Sequence, residues 1–301
     1  MKRMFEPVAF GNAKLHWDYR LCNTEQYRGF YHWHQCCEML YVHEGSGRVV
    51  VDGETFPIRP GMLFFFRPYQ LHQVMADVSP QQPYSRTIVF FDPHLVDDLL
   101  RPFVKRHSLY RALWRGNQKS MAFDLSAFGD EIERNYEQYQ WLRSRGMGED
   151  AEEIAMMILR NMECLLRSRA APALQAQRSE ECRTAGYAQQ AMTWIDEHYQ
   201  DSFHLDDLAA ALHLSKFYLS KLFHEETGST LKAYITAVRI RHACRLLETT
   251  AKSIEWIGSE VGIPNTSYFV QVFKQEVGTT PLKYRTGAGM GGRPSGLKKI
   301  K

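Results

Sequence analysis

Long apolar runs are missing from this 301-residue chain. None approaches the roughly 18 consecutive apolar residues that a membrane-spanning helix needs, so no membrane partner is expected. The first residues, MKRMFEPVAFGN, have a basic start but no apolar segment behind it, which argues against a secretory leader. Cysteine is sparse: six residues (22, 36, 37, 164, 182 and 244) are scattered without a CxxC pair. That usage fits reduced thiols in a cytoplasmic protein. Charge of one sign is also scarce overall, with a net of +3. The balance hides an asymmetry, because from Leu205 onward 14 Lys and Arg stand against 8 Asp and Glu. A basic end on a near-neutral body fits a polyanionic partner.

What is present divides the chain in two, as its length predicts at about 150 residues per domain. Residues 5–95 carry short runs of strand-forming residues closed by Gly and Pro. Glu38–Val51 reads as two strands around Gly45-Ser46-Gly47, a hairpin signal. Asp52-Gly53 marks another turn before Glu54–Ile58 and Met62–Phe66, and Arg86–Phe91 is a further strand stopped by Asp92-Pro93. This pattern predicts a sandwich or small barrel. The period then becomes helical: Phe128, Ile132, Tyr136 and Tyr139 share one face, as do Ile154, Met157, Ile158, Met162 and Leu165. These two helices either pack on the barrel or present an apolar face to a second copy of the chain.

The last third repeats itself. At an offset of fifty, Tyr218, Phe223, Glu226, Gly228, Thr230 and Tyr234 match Tyr268, Phe273, Glu276, Gly278, Thr280 and Tyr284. At forty-nine, Leu205, Leu208, Leu212 and Leu214 match Ile254, Ile257, Val261 and Ile263. Each copy reads as a short helix, a tight turn and a second helix, joined by a helix over Thr230–Leu247. Two such units suit a periodic polymer, and double-stranded DNA is the candidate. A helix from Ala188 to Tyr199 precedes them. Ser215 is placed to cap the second helix of the first copy, and Pro264 or Asn265 that of the second.

The runs SKFYLSKLFHEETGSTLKAYI, RIRHACRLLETTAKSIEWIGSEVG and SYFVQVFKQEVGTTPLKYR resemble the AraC/XylS family of bacterial transcription regulators. The resemblance covers nearly all of 188–285 and implies seven helices with two helix-turn-helix units. It implies base-facing positions at Phe217, Ser220 and Lys221, then Ser267, Tyr268, Val270 and Gln271. Lys274 is a further DNA-binding position, grouped with Lys216, Lys252 and Arg285 as a phosphate contact. Gly258 departs from the family's usual Ala inside the short helix, at an expected cost of up to about 1 kcal/mol.

In the front half, His32 and His34 project to one face of a strand, with Glu38 and a later His72. They resemble the HxHxxxE segment and following His of cupin barrels. The resemblance leaves three roles open: a divalent metal held by His32, His34, Glu38 and His72; an effector site in which these residues and Tyr41 hydrogen-bond a small polar molecule; or satisfied core histidines. No cofactor is expected. Trp33, Phe65, Tyr69 and Tyr84 would add aromatic surface, which suits a sugar.

The expected fold class is α+β in two domains: an N-terminal cupin-like β-barrel with two following helices, and a C-terminal all-α double helix-turn-helix domain. The expected boundaries are 1–167 for sensing and dimerisation, 168–186 for a linker, 187–286 for DNA binding, and 287–301 for a structureless basic tail. The expected function is effector-controlled transcription regulation by a non-enzymatic homodimer, with RNA polymerase a partner if it activates. Two rivals are a metal-dependent cupin enzyme fused to a DNA module and an architectural DNA binder that answers to no effector.

Overall fold

β-branched and aromatic residues in short, Gly- and Pro-bounded runs build the strands of the first half. The computed structural model describes residues 4–8, 10, 13–25, 27–52, 54–116, 121–170 and 186–286. The strands are β1 (Leu15–Asn23), β2 (Tyr27–Arg28), β3 (Cys37–Glu44), β4 (Ser46–Val51), β5 (Glu54–Ile58), β6 (Met62–Phe66), β7 (His72–Asp77), β8 (Tyr84–Phe91) and β9 (Ala122–Asp124). They form two antiparallel sheets, ordered β1-β8-β3-β6-β9 and β2-β7-β4-β5.

The expected hairpin at Gly45-Ser46-Gly47 is corrected here. β3 pairs with β6 and β8, whereas β4 pairs with β5 and β7. The glycines therefore carry the chain from one sheet to the other. Gly47, at φ 141°, has its α-carbon so close to β7 that a Cβ would lie 2.2 Å from the Met75 carbonyl oxygen. The turn at Asp52 does close a hairpin, with Val51 opposite Glu54.

Alternation along β3 separates two cores. Leu40 and Val42 join Val49, Val51, Phe64, Phe66, Val74 and Tyr84 between the sheets. Cys37, Met39 and Tyr41 point the other way and pack with Trp17, Phe65, Phe91 and the helices that follow.

Among the described residues four helices follow β8 rather than two: α1 (Pro93–Leu100), α2 (Val104–Trp114), α3 (Gly129–Ser144) and α4 (Ala151–Ala170). Asp92-Pro93, which ends β8, also starts α1. The Asp92 side chain accepts a hydrogen bond from the His94 amide at 2.8 Å, and proline takes the first helical position. α3 and α4 sit where the helical period placed them. Ile132, Tyr136 and Tyr139, and Ile154, Met157, Ile158, Met162 and Leu165, are all buried.

Among the described residues the regular structure of the C-terminal part is all helical: α5 (Tyr187–His198), α6 (Leu205–Ala211), α7 (Lys216–Thr227), α8 (Leu231–Thr249), α9 (Ile254–Glu260), α10 (Thr266–Val277) and α11 (Pro281–Arg285). The chain divides into two compact units, one of Asn12–Phe30 and His34–Ala185, the other of Met1–Gly11, Tyr31–Trp33 and Gly186–Lys301. Two short N-terminal pieces thus group with the helical unit, and they are tied to each other. The Trp33 amide donates to the Met4 carbonyl at 2.8 Å and the Glu6 amide to the Trp33 carbonyl at 2.9 Å. Residues 168–170 of the expected linker complete α4; residues 171–185 and the tail 287–301 lie outside the described residues. No helix among the described residues is long and apolar enough to cross a membrane.

Candidate functional site

The two helix-turn-helix copies are built by matched local devices. Ser215 caps α7 by accepting from the Tyr218 amide at 3.3 Å, and Asn265 caps α10 by accepting from the Tyr268 amide at 2.9 Å. Gly228 and Gly278, at φ 70° and 88°, end these helices in the left-handed conformation. Thr230 and Thr280 then cap α8 and α11. The caps sit fifty residues apart while α6 and α9 sit forty-nine apart, so Pro264 is the extra residue of the second turn. Between the copies, the 19 residues of α8 span about 28 Å at 1.5 Å per residue.

Packing fixes which face of each second helix stays open. Leu219 and Phe223 of α7, and Phe269, Val272 and Phe273 of α10, are buried. Leu222, which helical spacing places beside Leu219 and Phe223, is only partly buried. Phe217, Lys221, Ser267, Tyr268, Gln271 and Lys274 are exposed, and Ser220 and Val270 are half-buried beside them. Phe217 stands 80% exposed, an apolar ring with no packing role. Tyr218 was missed by the sequence reading. It is the fifty-residue equivalent of Tyr268, and the two are 51% and 52% exposed; the repeat itself was the signal.

Lys216, expected on a phosphate, reaches Asp206 at 3.0 Å, and Lys221, expected on a base, reaches Glu225 at 3.8 Å. Arg285 donates to the Lys252 carbonyl at 2.5 Å. These two ion pairs are surface pairs of small worth and leave both ammonium groups available to DNA.

In the barrel unit, His34, Glu38 and His72 come together and are almost wholly buried. His34 Nε2 lies 2.8 Å and His72 Nε2 3.3 Å from Glu38 Oε2. The Nδ1 atoms donate to backbone carbonyls, His34 to Cys36 at 2.9 Å and His72 to Gln70 at 2.8 Å. His72 stacks on Phe66 with ring centroids 4.0 Å apart. Burial opposes ionisation of Glu38, yet the contacts from His34 and His72 outweigh it and hold the carboxyl well below its ordinary range. Burial likewise opposes the imidazolium of His34, but Cys36 and then Glu38 raise it well above its ordinary value. With Glu38 ionised, both nitrogens of that ring face acceptors, and a proton on each satisfies both.

Tyr41 does not join this cluster, which corrects its place in the expected effector site. It is an odd number of residues from Glu38, so it emerges from the opposite face of β3, where its ring meets those of His43 and Tyr136. Phe65 faces the same side. His32 belongs to the Tyr31–Trp33 segment of the helical unit, with Nε2 3.5 Å from a Glu6 carboxylate oxygen.

Comparison with known proteins agrees with both halves. Residues 208–287 match a helix-turn-helix domain family and residues 19–119 the AraC-like ligand binding domain family. The chain is 23% identical over 278 residues to the HTH-type transcriptional regulator YfiF of Bacillus subtilis, spanning 87% of this chain and 81% of that one. It is 26% identical over 263 residues to the melibiose operon regulatory protein of Escherichia coli, spanning 84% and 82%. It is 27% identical over 253 residues to the arabinose operon regulatory protein of Salmonella typhimurium, spanning 81% of each. Two domains of known kind, in this order and over most of the length of such relatives, leave one assignment: the chain belongs to the AraC family of DNA-binding transcription regulators, a non-enzymatic family, with an AraC-like ligand-binding domain ahead of its helix-turn-helix domain.

Proposed function

We propose that α7 and α10 read two segments of one DNA duplex and that a small polar molecule in the barrel controls that reading. The observation that carries the proposal is the pair of capped, rigid helices with open faces of different chemistry. Phe217, Ser220 and Lys221 in the first stand where Ser267, Val270 and Gln271 stand in the second. One scaffold presented twice with different side chains is suited to two different base sequences. Control by an effector requires that it bind two arrangements of the protein unequally. A carbohydrate-related effector is supported by the melibiose and arabinose regulators among the relatives. Homodimerisation, contact with RNA polymerase in an activating role and a cytoplasmic location complete the reading.

Mapping the sites bound by the full chain across its genome tests this. A shared motif with two unlike half-sites, beside genes for uptake or breakdown of one metabolite, is expected. Binding without sequence preference would sink it.

A second reading has its own observation. Fixing Nδ1–H of His34 and His72 on backbone carbonyls, with both Nε2 atoms turned to Glu38, is the outer-shell pattern that orients metal-binding imidazoles. A divalent ion would then be the effector or its anchor. Elemental analysis of purified protein and of a His72→Ala variant decides it: stoichiometric metal lost in the variant supports this reading.

A further inference from the structure

Arg86 is buried inside the barrel with no counter-charge among the described residues. It lies on β8 two residues after Tyr84 and so shares the face that packs between the sheets. It is 5% exposed. Its guanidinium sits 4.4 Å from the Tyr27 ring centroid and 4.8 Å from that of Tyr84. One terminal nitrogen donates to Asn23 Oδ1 at 2.7 Å. Among the described residues its Nε has no acceptor, and the fully buried Tyr84 hydroxyl beside it has no partner. Among the described residues no carboxylate pairs with it.

Two aromatic faces and one amide oxygen are poor compensation for a desolvated cation. Cation–π contacts recover only part of the penalty for taking a guanidinium out of water. What the place lacks is an oxyanion, which would accept from the guanidinium and from the tyrosine hydroxyl together. We infer that Arg86 and Tyr84, with Asn23 and Tyr27 around them, form the subsite for a carboxylate group of the effector. The inference rests on the barrel being the effector site. It narrows a carbohydrate-related effector to the acid form of a sugar, such as an aldonate.

Gluconate and sorbitol make the test, since they share a polyol chain and differ in the carboxylate. Melting of the full chain is followed in chloride, gluconate, sorbitol, acetate and phosphate, with the salts at equal ionic strength. Gluconate and acetate are expected to raise the melting temperature saturably, and sorbitol to leave it unchanged. Arg86→Met should abolish the response. Tyr84→Phe, which removes only the hydroxyl, should weaken apparent affinity several-fold and keeps the test valid if Arg86→Met does not fold. No shift above chloride, an equal shift in wild type and both variants, or a response to phosphate alone overturns the assignment. Operator affinity is measured in the same solutions. Stabilisation by gluconate with unchanged operator affinity still supports the subsite and counts against effector control, so the two failures are distinguishable.

Discussion

The rings of Phe223 and Tyr234 meet edge to face, with centroids 5.6 Å apart and planes at 77°. Phe273 and Tyr284, their equivalents fifty residues on, repeat the same 5.6 Å and 77°. In each copy this pair locks the second helix of the helix-turn-helix onto the helix behind it, and all four rings are buried. Phe223→Ala and Phe273→Ala should each lower stability by about 3–5 kcal/mol. Urea denaturation of the full chain measures this; a loss under about 1 kcal/mol in either would remove the ring pair from the list of structural supports.

One matched position in the two turns predicts opposite responses to substitution. His213 occupies the left-handed region at φ 54°, where its equivalent, Gly262, has φ 77°. A side chain is strained there and glycine is not. His213→Gly should therefore stabilise the first copy by about 0.5–1 kcal/mol, part of the strain relief being offset by backbone entropy. Gly262→Ala should destabilise by about 2 kcal/mol or more, because strain is joined by a clash: a Cβ would stand 2.7 Å and 2.8 Å from the carbonyl oxygens of Gln200 and Tyr199. Thermal melts of both variants check the signs.

Why some features were legible and others not follows from the same details. Caps, left-handed glycines and helical burial are local, so Ser215, Asn265, Gly228 and Gly278 could be read from the chain. The odd spacing of Tyr41 from Glu38 was equally readable and would have placed them on opposite faces. Strand pairing is not local, and Gly45-Ser46-Gly47 has the composition of a hairpin whether the chain turns back or changes sheet. α2 escaped because little of it packs inward, chiefly Leu109, Tyr110 and Leu113. Gly258 shows where propensity yields to packing. Alanine is the better helix former, but a Cβ there would lie 2.9 Å from the Ile263 carbonyl oxygen and 3.2 Å from the Phe269 ring.

Lys221 and Gln271 are equivalent positions on the open faces of α7 and α10, and both are exposed. If each reads a base, Lys221→Ala and Gln271→Ala should each cost about 1–3 kcal/mol of binding, confined to one base position in one half-site. Competition binding with single-base operator variants measures it. An equal loss on every sequence, with a shallower salt dependence, would make the contact one to phosphate. Tyr218→Ala should behave as Tyr268→Ala does, at the other half-site.

The buried cluster of His34 and Glu38 gives the chain a pH signature whose sign can be worked out. Glu38 has its carboxyl lowered from the ordinary 4.5, so its contribution to stability is complete above 4.5 and is lost as pH falls toward the lowered folded value. His34 is raised from the ordinary 6.5, so its contribution is complete below 6.5 and is lost as pH rises toward the raised one. Both are complete between 4.5 and 6.5. Glu38→Gln removes the charge that couples them and leaves a side chain of the same size. The stability difference between wild type and this variant, taken from denaturant midpoints across pH 3 to 9 (an approximate range set by these ordinary values), should be greatest inside that window. It should shrink on either side, and a difference that is flat with pH would show that the two side chains meet as neutral hydrogen-bond partners.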